Sequence, residues 1–221
     1  NWFFGGASRN TTFTNDKSIP LSNLLNADVR KQKMILIVPT FRKTGIKISR
    51  TEYILNTFPF IENMYRLKQL NSYLSKNNVI FIMKLHQENY FKNDDNDELF
   101  SNIIFLDNNT LYDNNIYVSE LFQYTGGLIT DYSSIALDYL YFNKPIGYLL
   151  NDIQLYQKER GICSNFKNFL FGNNLETIDD LYCFINSIIN NVVVNNSKNN
   201  IKINGAYHPN ENESIYEMFF K

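Results

Sequence analysis

Apolar residues fall along this chain in two rhythms. "MILIV" (34–38) is an unbroken apolar run that stops at Pro39. "VIFIMKLH" (79–86), "NIIFLD" (102–107), "GGLIT" (126–130) and "PIGYLL" (145–150) read the same way. Continuous runs of this length predict strands buried on both faces, because an exposed face would impose alternation. Between them the spacing changes. Tyr53, Ile54, Phe58, Ile61, Met64, Tyr65 and Leu67 recur at helical intervals over 52–75, with Pro59 expected to kink or restart the helix. Helical spacing also marks 115–125, 133–142, 178–189 and 213–220, while "DDNDELF" (94–100) reads as an acidic loop.

Apolar strands alternating with helices predict a parallel sheet covered on both sides. Five or six strands are too few for an eight-stranded barrel. The expected fold class is therefore α/β, an open doubly wound parallel sheet of Rossmann type forming one domain over 1–221. Ligands of such sheets sit beyond the carboxyl ends of the strands, where the strand order reverses.

Composition narrows the function classes. Twenty-one Lys and Arg stand against 22 Asp and Glu, so binding driven by neutralising nucleic-acid phosphates is not expected. Cys163 and Cys183 show no metal-ligand spacing and are expected as reduced thiols, a single disulfide being the alternative. No apolar run has membrane-spanning length. The chain opens "NWFFGGASRN", in mid-motif and without Met, so it is expected to be part of a longer two-domain protein. G-x-G-x-x-G, Walker A and H-E-x-x-H motifs do not occur, which weighs against dinucleotide oxidoreductases, P-loop ATPases and zinc hydrolases.

The candidate chemistry stands after the strands. Pro39, Thr40 and Arg42 follow the first, Lys84 and His86 end the second, and Asp131, Tyr132, Ser133 and Ser134 follow "GGLIT". A helix beginning near Ser133 or Ser134 offers free N–H groups and hydroxyls to a phosphate. Asp138, four residues beyond Ser134, lies one turn further on the same face, where a carboxylate can accept from the two hydroxyls of a ribose. The plainer alternative is that Asp131 or Ser133 only caps this helix and Asp138 is solvated. Lys84 and His86 share a strand face and can neutralise a diphosphate leaving group; Arg42 can do likewise. His208, in "YHPNE", reads as a loop residue.

"GGASRN" (5–10), "ILIVPTFR" (35–42), "FIMKLHQ" (81–87), "LITDYSSIALDYLYFNKPIGYL" (128–149) and "KERGICSNFKNFLFG" (158–172) occur in that order. Together they resemble the carboxyl-terminal half of CDP-glycerol glycerophosphotransferases, the teichoic-acid and capsule polymerases. The resemblance implies the nucleotide-binding half of a GT-B architecture, with an amino-terminal half facing the acceptor. It implies transfer of glycerol phosphate from CDP-glycerol to a hydroxyl of a growing cell-surface polymer, releasing CMP. It places Pro39 and Thr40 in the nucleotide site, His86 beside the diphosphate as the catalytic residue, Ser133 and Ser134 on phosphate, Asp138 on ribose, and Arg9 at the cleft border. Ser8, Thr11 and Gln87 depart from the family pattern, which leaves substrate detail open. No cofactor or metal site is implied, and Mg²⁺ dependence is unspecified. The expected partners are a CDP-activated polyol and a polymer or lipid-linked acceptor at the inner face of a bacterial membrane. Another CDP-polyol, a nucleotide sugar, or a non-catalytic nucleotide-binding module remain the alternatives.

Overall fold

In the computed structural model the described residues are 13, 15–40, 48–85, 100–162 and 166–194. Arg9, Arg42, His86, Cys163 and His208 lie outside them, as do the expected acidic loop apart from Phe100 and the expected helix over 213–220.

Six strands form one parallel sheet: β1 (Lys33–Val38), β2 (Val79–Lys84), β3 (Ile103–Leu106), β4 (Gly127–Thr130), β5 (Ile146–Tyr148) and β6 (Asn173–Asn174). Their spatial order is β3-β2-β1-β4-β5-β6. The chain steps outward from β1 to β3, then returns to the other side of β1, so the order reverses between β1 and β4. Val38 pairs with Thr130 there, which sets Pro39 and Thr40 beside Asp131 and Tyr132.

The strands alternate between two cores. Met34, Leu36, Ile80, Ile82 and Leu128 face one layer, formed with α1 (Ser18–Leu25), α4 (Asn108–Asp113), α5 (Val118–Leu121) and α6 (Ile135–Tyr139). Ile35, Ile37, Phe81, Met83 and Ile129 face the other, formed with α2 (Arg50–Thr57), α3 (Met64–Lys76) and α8 (Ile178–Ile189). Both sheet faces are apolar, so the inner strands are apolar up to Lys84 and Thr130 at their carboxyl ends, and no alternation survives in the sequence.

Helix ends follow local chemistry. Ser49 and Glu52 form a reciprocal capping box at the start of α2, and Thr177 and Asp180 do the same for α8. Asn63 accepts from Arg66 N–H at 3.0 Å and so restarts the helix that Pro59 interrupts; 52–75 is two helices rather than one kinked one. The expected helix over 115–125 is shorter, with α5 passing into a 3-10 turn at Phe122–Tyr124, and 133–142 likewise reduces to α6 plus a 3-10 turn at Leu140–Phe142. The non-glycine residues with positive φ are Asn26, Asn78, Asn115, Asn143 and Asn191, each closing a helix or its 3-10 extension. Asn tolerates the left-handed conformation that usually calls for Gly. Part of the chain's Asn richness therefore has a structural use beyond solvated loops.

Gly172 shows how tightly the edge strand is laid on. A Cβ there would stand 1.9 Å from the Ile146 carbonyl oxygen, a backbone atom that cannot step aside. Gly172→Ala is expected to push β6 off β5 and cost about 1–3 kcal/mol, the usual range for forced overpacking. A urea midpoint matching wild type would show that the edge yields freely.

Candidate functional site at the β1–β4 switch point

Asp131 is the first side chain after β4, and it is 2% exposed. Its carboxylate accepts from Thr40 N–H at 3.0 and 2.9 Å, from Thr40 Oγ1 at 2.8 Å, and from its own neighbour Tyr132 N–H at 2.6 Å. Thr130 Oγ1 donates to Val38 O at 2.7 Å just below. The residue expected among the substrate contacts thus ties the loop after β1 to the turn after β4. Pro39 and Thr40 are half-buried at the rim.

The turn itself leaves hydroxyls available. Ser134 is the exposed N-cap residue of α6, and its side chain makes no cap hydrogen bond. Ser133 is half-buried and accepts only a long contact, 3.4 Å, from Ile135 N–H. Asp131 faces Thr40 rather than the helix. The simple capping alternative therefore does not account for Asp131, and for Ser133 it rests on the long Ile135 contact alone. Asp138 sits one turn into α6 and is 7% exposed, so it is not the solvated surface acid of that alternative.

Lys84 ends β2 at 6% exposure, and its ammonium donates to Leu85 O at 2.5 Å. Burial pushes it below the ordinary lysine range, with the Asp107 carboxylate pulling the other way. Asp107 follows β3 and caps α4 by accepting from Thr110 N–H at 2.7 Å, a contact that holds its carboxyl below the usual range. A lysine at that depth, at the carboxyl edge of the sheet, suits an anion that replaces lost hydration. Among the described residues no group of three His, Cys, Asp or Glu is placed to hold a metal.

Pro39 and Thr40 thus follow β1, Lys84 ends β2, Asp131, Ser133 and Ser134 lie between β4 and α6, and Asp138 stands on α6, on the carboxyl side of the sheet. A family model for CDP-glycerol:poly(glycerophosphate) glycerophosphotransferases matches residues 9–207. The chain belongs to this family. The teichoic acid glycerol-phosphate primase of Bacillus subtilis (strain 168) is 31% identical over 153 residues, covering 69% of this chain and 34% of the primase. The teichoic acid poly(ribitol-phosphate) polymerase of Bacillus spizizenii is 28% identical over 159 residues, covering 71% of this chain and 23% of the polymerase. A solved variant of the wall teichoic acid polymerase TagF superposes with a TM-score of 0.61 at 20% identity, over 95% of this chain and 49% of that one. A TagF crystal soaked with CDPG gives 0.59 at 18% identity, over the same shares. The chain therefore spans about half the length of the solved polymerase and a quarter to a third of these curated relatives.

Two arrangements were not legible beforehand, the first at the amino edge of the sheet and the second at the site. Lys144, half-buried, donates to the carbonyls of Phe122 at 2.9 Å, Gln123 at 3.0 Å and Thr125 at 2.6 Å, closing the segment that feeds β4. Tyr132 stacks on Tyr156 at 4.0 Å between ring centroids and 21° between planes, and its hydroxyl donates to Asp152 at 2.9 Å. The "NKP" triplet stood inside the most specific motif, yet nothing local announces three carbonyl partners about 20 residues upstream. The partners of Tyr132 stand on a helix that the sequence reading missed.

Proposed function

We propose that this chain is the donor-nucleotide half of a polyol-phosphate transferase that moves glycerol phosphate from CDP-glycerol to a hydroxyl of a growing teichoic-acid or capsule polymer. The observation that carries the reading is the pair of serine hydroxyls at the β1–β4 switch point with buried Asp138 one turn behind them. Ser133 and Ser134, with the first turn of α6, take the diphosphate; Asp138 accepts from the ribose hydroxyls; Lys84 offsets phosphate charge. The acceptor oxygen attacks the β-phosphorus, the bond from that phosphorus to the bridging oxygen breaks, and CMP leaves with the electron pair. His86 and Arg42, outside the described residues, are assigned to the same anion, His86 as the catalytic residue. Positioning and charge neutralisation supply most of the rate in phosphoryl transfer.

The acceptor-facing half is assigned to sequence beyond this chain, and the acceptor to a polymer or lipid-linked primer at the cytoplasmic membrane face. Among the described residues no helix is long and apolar enough to cross a membrane. The relative named for poly(ribitol-phosphate) supports CDP-ribitol as a second donor to test.

Calorimetric titration of this chain with CDP-glycerol, CDP-ribitol, CDP and UDP decides the reading. The cytidine nucleotides are expected to bind more tightly than UDP. Asp138→Ala is expected to lower CDP affinity by roughly 1–3 kcal/mol, as for loss of a charge-assisted hydrogen bond, without unfolding the chain. Wild-type affinity in a folded Asp138→Ala would remove the ribose role; no nucleotide binding at all would remove the donor reading.

A further inference from the structure

The connection from β5 to β6 carries α7 (Ile153–Arg160), and this helix is unlike the others. None of its eight residues is buried, and Leu155 is 54% exposed. A crossover helix of a doubly wound sheet ordinarily lays an apolar stripe on a sheet face. Here the packing onto the core comes from Leu170 and Phe171, further along the same connection. With only the half-buried Ile153 and Tyr156 on its inner side, α7 needs a further hold.

Among the described residues, three contacts of this connection meet on Tyr132. The hydroxyl of Tyr132 reaches Asp152, the N-cap residue of α7, at 2.9 Å. Its ring lies parallel to Tyr156 in mid-helix at 4.0 Å, and Phe166, beyond the helix, tilts against it at 5.8 Å. On the other side, Tyr132 N–H is fixed by the same Asp131 carboxylate that holds Thr40. Ser133 and Ser134 follow immediately. One side chain therefore links the switch-point clamp, the serine turn and a helix with no buried residue of its own.

We propose that Tyr132 is a positioning residue that latches α7 as a cap beside the serine turn, so that a diphosphate on that turn tightens the latch and a vacant turn lets α7 open. The coupling rests on the assignment of the donor diphosphate to Ser133 and Ser134; the latch itself does not. A ligand that orders the turn lowers the cost of ordering what the turn holds. An element with few buried contacts opens locally well below the cost of global unfolding.

Hydrogen exchange read by mass spectrometry over residues 153–160 tests both parts, with CDP as the probe. Tyr132→Phe keeps the stack and removes the Asp152 bond. Tyr156→Leu removes the stack from the exposed side and leaves the turn untouched. Without nucleotide, exchange over 153–160 is expected to quicken about fivefold in the first and about tenfold in the second, while α3 and α8 exchange as in wild type. Saturating CDP is expected to slow this segment about tenfold in wild type and less than threefold in either variant. Wild-type exchange in both variants would overturn the latch. Equal protection by CDP in wild type and variants, or none in a wild type that calorimetry shows to bind CDP, would overturn the coupling. A wild type that binds no CDP would instead sink the donor assignment and the coupling with it, and the nucleotide-free comparison would still decide the latch.

Discussion

Asp131→Ala is expected to cost about 3–5 kcal/mol, a large share of the about 5–15 kcal/mol by which a domain is usually stable. The carboxylate is buried and accepts from Thr40 N–H, Thr40 Oγ1 and Tyr132 N–H. Truncation leaves those donors facing a cavity that lacks any acceptor, and unsatisfied buried donors are more damaging than the loss of one average hydrogen bond. Asp131→Asn is expected to recover little, because its amide nitrogen turns a donor toward other donors. Urea unfolding followed by circular dichroism measures the loss. A midpoint within error of wild type would mean that the ends of β1 and β4 hold their places without this carboxylate.

Lys144→Met carries the second large effect, about 2–4 kcal/mol near neutral pH. Methionine keeps most of the volume and places no donor against the carbonyls of Phe122, Gln123 and Thr125. The pH dependence adds an independent signature. Burial pushes the Lys144 ammonium from 10.5 down to about 8, against the pull of the three carbonyls toward the charged form. A folded pKa below the unfolded one means that between about 8 and 10.5 the unfolded chain keeps a proton that the folded chain has released. Wild-type stability therefore rises with pH across that window relative to Lys144→Met, by up to roughly 3 kcal/mol, and is flat relative to it below. Parallel denaturation curves for the two proteins at pH 7 and pH 10 check both claims. A difference that shrinks with rising pH would show that the carbonyls, rather than burial, set this proton's affinity.

Much of the fold was legible because burial on both faces writes itself into sequence. "MILIV" and "VIFIM" have no polar position to accommodate, so strand identity, parallel pairing and two helical layers follow from composition and length alone. The doubly wound class then directs attention to strand ends; Thr40, Lys84, Asp131, Ser133 and Ser134 were singled out as candidates by that rule, and Asp138 by its spacing from Ser134. Boundaries were less legible. Residues 115–125 carry helical spacing throughout, yet only Val118–Leu121 is α-helical before the 3-10 turn. α1, α4, α7 and the two-residue β6 left no periodic signal long enough to read.

The sequence by itself determined the class of the fold and the family, since these depend on local periodicity and on short contiguous motifs. Only the tertiary structure decided which partners the candidate site residues have. Asp131 and Thr40 are 91 positions apart, and their hydrogen bonds exist because β1 and β4 are neighbours at the point where the strand order reverses. Asp138 read equally well as a solvated acid until the packing of α6 buried it. Lys144, Tyr132 and α7 acquire their roles from partners brought together by the sheet order, a property of the whole chain that no window of its sequence contains.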